Sequence, residues 1–427
     1  MSRSVSAVLA GTFTLRFSTG LTGGLLVYYL DRLPEFGGPR VDSTTVGLLT
    51  AGYYLAELVL SPIFGYLSDR FGAHRIMQVG PIFGLVAVLA TAYVVDLWIL
   101  GGTRILEGGA AAASIPSILG YIALATSGDQ SLRGRAVARF EGATLAGIGL
   151  GIVAAGPIFD AIGRGGFLVN ALIYVVSFAI YRWGVGELHH EASHEEQAAG
   201  DHHVRPSRLD MTRYRRILSS PRVWLLAPTW IALNAVLGSW TTQSVFQLVR
   251  EPPAGFSNQL LMQGFSPTSV SLGFGVAGLI FMAGLLYWGN RFRRLRRTTI
   301  IAIGVTGALF MLAAAFGLNH SADVGLPIQL SLGAVAAGGL FVMAGATPAA
   351  LGLLADITES HPADRGAIMG LYSVFLGVGQ IVGALASGPA GDLAGVDGLL
   401  GASALLIVIA MLPIQRLRSS EHLVGAR

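Results

Sequence analysis

The chain has 427 residues, 53% of them hydrophobic and only 12% charged, with a mean hydropathy of +0.63. A water-soluble domain carries roughly 25% charged residues, so a single solvated globule is excluded; the net charge of +4 sits mostly in short loops between apolar runs and does not indicate nucleic acid. With no cysteine there is no disulfide, no thiolate chemistry and no Cys-based metal site.

The apolar residues lie in blocks of about 20, long enough to cross a bilayer core. Windows of about 19 residues place spans at 6–30, 45–67, 76–95, 97–125, 137–158 and 166–185. A second set follows at 223–247, 268–289, 299–318, 326–355, 367–388 and 398–415. The first run continues past Arg16 to Leu30 with no small-residue cleavage site, so it reads as a retained helix rather than a signal peptide. The expected fold is an all-α membrane protein of twelve transmembrane helices. It divides into an N-terminal six-helix half (1–185), a cytoplasmic linker (186–222) and a C-terminal six-helix half (223–427), with a central cavity opening inward or outward.

All 28 basic residues are arginine, and with both termini inside, 22 of them lie in cytoplasmic segments and adjoining helix ends. Only Arg32, Arg40, Arg164 and Arg250 would lie outside, and Arg16 and Arg104 fall within spans. That asymmetry follows the positive-inside rule. A multi-pass protein of the plasma or inner cell membrane with both termini cytoplasmic is expected. The spans are rich in small residues, among them Gly142, Gly147, Gly149, Gly151 and Gly156 in the fifth and Gly370, Gly377, Gly379 and Gly383 in the eleventh. Such residues allow close helix approach, whether for static packing or for moving surfaces.

Between the second and third spans the stretch "GYLSDRFGAHR" fits the pattern G-x-x-x-D-R-x-G-x-x-R at Gly65, Asp69, Arg70, Gly72 and Arg75. It resembles the signature loop of the major facilitator superfamily, as does the six-plus-six arrangement. "RILEGGAAA", with Arg104 and Gly108, is similar to a second family motif in the fourth span. The resemblance implies a transporter that works by alternating access and is not an enzyme. It also implies a conformational latch, in which Asp69 docks on the positive N-terminal end of the eleventh span near 363–370. The bland alternative is a charged loop that only sets topology. The equivalent turn at 284–297 lacks the aspartate, so no second latch of this kind is expected. Gly142, Gly151, Gly156 and Pro157 resemble the Gly-rich fifth helix of proton-linked exporters, although Asp160 and Ala161 replace its final glycines and the spacing before Gly156 is one residue longer.

Four ionisable residues lie inside spans: Arg16, Glu57, Arg104 and Glu107. At 1.5 Å per residue they fall about 20, 18, 10 and 15 Å below the outer surface. Each is costly there unless paired or facing water. Burial favours a protonated carboxyl, and a nearby arginine favours the ionised form. Arg104 is one turn from Glu107, whereas Glu57 has no charged partner on its own helix and shares a face with Tyr53 and Tyr54. Glu57 is therefore the first candidate proton carrier; a static ion-pair cluster is the alternative.

The later spans contain no charged residue. Trp230, Asn234, Gln243, Phe274, Tyr372 and Gln380 are the candidate substrate-cavity residues beside Tyr53 and Tyr54, with Thr347 also in the polar inventory. Aromatics with a few amides suit an amphipathic, mostly apolar solute, although each could equally be packing. Trp240 and Tyr287 can instead anchor at the interface. The linker stretch 189–203 holds five of the nine histidines. A solvated linker is the simpler reading of it, and no metal site is assigned. No phosphate-binding loop supports ATP-driven transport.

The combined expectation is proton-coupled export, by antiport, of amphipathic or hydrophobic small molecules, with no cofactor. The partners are a small-molecule substrate, protons and the lipid bilayer, with no nucleic acid, and the chain acts as a monomer. An uptake symporter or uniporter for a polar metabolite, and a non-transporting receptor or assembly factor for a lipid or pigment, remain the alternatives.

Overall fold

In the computed structural model residues 3–127, 129–187, 221–253, 255–291, 294–359 and 365–421 are described, without side chains at 130–131, 221–223, 354–372 and 419–421. Among them all regular structure is helical. The first part comprises α1 (Arg3–Asp31), α2 (Ser43–Phe71), the short α3 (Ala73–Ile76), α4 (Val79–Tyr93), α5 (Leu97–Ala125), α6 (Gln130–Ile162) and α7 (Gly166–Gly184). After the histidine-rich stretch, which lies outside the described residues, come α8 (Pro221–Ser239), a π turn (Trp240–Ser244) and α9 (Val245–Val249). Then follow α10 (Pro267–Gly289), α11 (Arg297–Asn319), α12 (Leu326–Met343), α13 (Ala346–Glu359), α14 (Arg365–Met411) and α15 (Ile414–Glu421). Within α14 the helical path is broken at Ala394 and Gly395, so two helices follow one another there.

The starts are chemically specified. Asp42 caps α2 by accepting from Thr45 N at 2.7 Å, Asp96 caps α5 from Trp98 N and Ile99 N, and Asp129 caps α6 from Leu132 N. These satisfy backbone donors that the first turn leaves without partners. α2 ends at Gly72, whose φ of +93° suits glycine.

Among the described residues, eight helical stretches are long and apolar enough to cross a membrane. Large apolar side chains face outward along them, for example Trp98, Leu279 and Leu330. That is the surface of a multi-pass membrane protein, where lipid replaces water. α1 is not among the eight, and its packing explains why. It is enclosed by α6 and α7, and buried Thr12, Arg16, Ser18 and Thr22 face protein. A helix sheltered by neighbours does not need a uniformly apolar surface.

Small residues set the helix spacing. A Cβ on Gly147 would lie 2.8 Å from Arg16 Cβ on α1, and one on Gly379 would lie 2.8 Å from Asn234 Cβ on α8. Two buried apolar clusters result. One gathers α1–α7 together with Val245, Phe246, Val249 and Val270; the other gathers α8, α11, α13, α14 and α15 together with Met262 and Trp288. The parts before and after the linker meet along two seams, α2 on α14 and α6 on α10. At the end carrying Ser43 and Pro267 the contact is tight: Gly388 abuts Ser43 and Thr44, and Gly156 abuts Pro267.

Candidate functional site

The intramembrane charges come together inside the first cluster. Arg16 is 8% exposed on α1, and Arg104 and Glu107 are each 5% exposed on α5. Arg104 Nη2 pairs with Glu107 Oε1 one turn away, the i,i+3 geometry that one helix face permits. Among the described residues the buried Arg104 Nε has no hydrogen-bond partner, so the pair is incompletely satisfied there.

Glu57 is half-buried on α2. Gly108 brings α5 against its backbone: a Cβ there would lie 2.8 Å from Ala56 Cβ and 3.1 Å from Glu57 N. The charge of Arg16 acts on Glu57, yet among the described residues no ion pair within 4.0 Å joins Glu57 to a cation. The Tyr53 and Tyr54 rings stand edge to face, with centroids 5.1 Å apart at 84°. Tyr53 feels Glu57, Arg16 and Glu107 together. On α7, buried Tyr174 packs its ring against Gly84 of α4. Two buried cations and a buried carboxyl thus lie in the same helical cluster as the half-buried Glu57, and a proton gained or lost there changes the local charge by one.

The other candidate residues occupy different surroundings. Trp230 and Asn234 are buried on α8, and Asn234 Nδ2 donates to Trp230 O at 2.8 Å. Gln380 on α14 is half-buried and faces α8 at Gly238. Gln243, fully buried in the π turn, donates to Ser43 O at 2.7 Å and so ties the second part to the first. Phe274 and Thr347 are half-buried on α10 and α13. The Tyr372 side chain lies outside the described residues. Trp240 donates to Ser403 Oγ at 2.8 Å, and exposed Tyr287 stacks against Arg291 with the guanidinium 4.9 Å from the ring centroid.

In the loop, Asp69 and Arg70 are exposed and Gly65 is half-buried beside Pro116. Arg75 reaches Glu187 at 3.7 Å, with His74 at 4.0 Å from the same oxygen. The side chains at 363–370, the expected dock for Asp69, lie outside the described residues.

One set of contacts escaped the sequence reading. Asp160 binds the first turn of α10 through Thr268, and Asp392 binds the first turn of α2 through Ser43 and Thr44. Buried Arg250 joins the second of these, donating to Ser43 Oγ at 3.0 Å. A signal was available: "GPIFDAIG" (156–163) and "GPAGDLAG" (388–395) repeat one pattern.

Comparison with known proteins accords with this architecture. The chain is 26% identical over 393 residues to the class B tetracycline resistance protein of Escherichia coli, covering 89% of this chain and 87% of that one. It is 25% identical over 336 residues to the sphingosine-1-phosphate transporter SPNS2 of Xenopus tropicalis, covering 73% and 62%. The lysophospholipid transporter LplT of Yersinia pestis is 28% identical over 179 residues, 42% of this chain and 41% of that one. The crystal structure of the nucleoside transporter NupG superposes with a TM-score of 0.72 at 11% identity, covering 98% and 99% of the two chains, a likeness of fold. The family model of the major facilitator superfamily matches residues 8–262. The chain belongs to the major facilitator superfamily.

Proposed function

We propose that the protein exports amphipathic or hydrophobic small molecules in exchange for protons, by alternating access between two six-helix halves, 1–185 and 223–427, twelve spans in all. The observation that carries this reading is the set of intramembrane charges Arg16, Glu57, Arg104 and Glu107, three of them buried and Glu57 half-buried. One carboxyl in it is paired within its own helix, and the other has no contact cation among the described residues. A carboxyl in the second situation can exchange a proton while the first keeps the cluster's arginine in place. The apolar and amide side chains of α8 and α14 supply recognition. The relatives named above suit an amphipathic solute, since one confers tetracycline resistance and two carry lipids by name. In this reading both termini are cytoplasmic, the chain works as a monomer, and the seams closed near Ser43 and Pro267 belong to a state shut toward the outside. Asp69 and its loop latch the opposite, outward-open state.

The test is flux in proteoliposomes under an imposed pH gradient, with a panel of amphipathic cations, lysophospholipids and polar metabolites. Solute movement opposite to protons supports export by exchange. Movement in the same direction assigns a symporter instead, and gradient-independent flux assigns a uniporter.

A further inference from the structure

Two carboxylates occupy matched places at the end of the bundle that the arginine distribution puts outside. Asp160, in the last turn of α6, accepts from Thr268 N at 2.9 Å and Thr268 Oγ1 at 2.6 Å. Asp392, on α14, accepts from Ser43 N at 2.8 Å, Thr44 N at 2.9 Å and Thr44 Oγ1 at 2.6 Å. Each lies in the same eight-residue pattern, G-P-x-x-D-x-x-G. In each copy the first glycine abuts the backbone of the first residue of the receiving helix, Pro267 or Ser43. In each copy the last glycine has a backbone closed to other residues, φ +54° and ψ −133° at Gly163 and φ +61° and ψ −134° at Gly395.

The receiving helices already have caps of their own. Ser266 accepts from Ser269 N on α10, and Asp42 accepts from Thr45 N on α2. The incoming carboxylates therefore serve donors left over in the first turn, with a charge that the helix N-terminus favours. A helix's own cap persists however the helices move. A carboxylate reaching across from the other part of the chain can bind only while the two parts are together at this end. Arg250 reinforces one side, at 3.8 Å from Asp392 and bonded to Ser43 Oγ and Gly391 O. Ser271 reinforces the other, bonded to Tyr28 and to Gly156 N.

We propose that Asp160 and Asp392 form a duplicated carboxylate clasp that holds this mouth of the transporter shut and must release on both seams before it opens. The inference rests on the alternating-access reading above. The absence of cysteine makes single-cysteine reporters clean, and Val46 and Val270, both buried beside the receiving turns, are suitable positions. Labelling with a membrane-impermeant maleimide from outside then measures opening. Asp392→Ala and Asp160→Ala, which remove the acceptor oxygen that asparagine would keep, are each read at Val46→Cys and at Val270→Cys, so that one reporter always lies on the seam that was not altered. Losing one cap-like contact raises labelling about tenfold, and losing both about a hundredfold. Thr44→Val and Thr268→Val, which remove one donor each, raise it less in the same direction and stand in if an aspartate variant does not fold. Labelling that rises only on the altered seam, or not at all in monodisperse variants, overturns the clasp. Unmoved labelling with intact proton-driven flux rejects the clasp alone; raised labelling in a protein without any flux keeps the clasp and rejects the transport reading.

Discussion

Replacing Gly108 by alanine tests whether the closeness of α5 and α2 matters to the charge cluster. The added Cβ would lie 2.8 Å from Ala56 Cβ and 3.1 Å from Glu57 N, and closer still to Tyr53 O. Carbon atoms at rest sit about 3.5–4.0 Å apart, so α2 has to withdraw by roughly 1 Å. Two of the three atoms met are backbone, which cannot rotate away as a side chain would. Overpacking of this kind costs about 1–3 kcal/mol. Because the obstructing residues run from Tyr53 to Glu57, the displacement carries the Glu57 carboxyl away from the Arg104–Glu107 pair. Gly102→Ala on the same helix is the control, since nothing lies within 4 Å of its Cβ position. Thermal unfolding in detergent and proton-driven flux are compared for the two variants. Gly108→Ala should lower both, and Gly102→Ala should match the parent or gain slightly from helix propensity. Equal stability and equal flux in the two would refute the claim that this contact positions the cluster.

Glu57→Gln, which mimics the protonated carboxyl, should abolish gradient-driven flux while leaving substrate binding by calorimetry intact; undiminished flux there, with loss only in Glu107→Gln, moves the carrier role to α5. Asp69→Asn should leave expression and monodispersity unchanged and cut turnover by tenfold or so if the loop contributes one helix-end contact; wild-type flux removes the latch role. Substitutions at Trp230, Asn234 or Gln380 should alter the ranking of solutes in competition assays more than the pH profile, and the reverse pattern would exchange the roles assigned to the two parts of the chain.

Much of the helix inventory was legible because lipid imposes one rule on every span: a continuous apolar stretch of sufficient length. The local breaks were less visible. The run at 326–355 reads as one span, yet α12 stops at Met343 and α13 starts at Ala346. Hydropathy does not register a turn made within apolar residues. The depth count put Arg16, Glu57, Arg104 and Glu107 in one slab, but depth does not say which helices are neighbours or how each is rotated. The adjacency of Glu57 to α5 depends on Gly108, one glycine among 58 in the chain. The carboxylate caps were missed for another reason. Sequence periodicity reports the face of a single helix, whereas Asp392 and Thr44 are 348 residues apart.

The helix that unites these features is α2. Its first turn is held by Asp392 and its last turn carries Asp69, while Glu57 lies between them. By helical rise, Glu57 is about 21 Å from Ser43 and about 18 Å from Asp69. Near its middle it is pressed against α5 at Gly108, and toward Ser43 it is pressed against α14 at Gly47 and Gly388. A closely packed helix responds as a body, by tilt or shift, rather than by bending one residue at a time. In the proposed mechanism a proton on Glu57 therefore has no need of a relay of side chains to either end. By changing the balance of charge against Arg16 and the α5 pair, it changes where α2 sits best, and both ends read the same displacement. Pro62, inside the helix and between Glu57 and Asp69, is the place where that rigidity can fail, since its ring removes a backbone hydrogen bond. This leaves the Ser43 end as the part of α2 coupled most directly to the charge cluster, and the Asp69 end as the part coupled through a hinge.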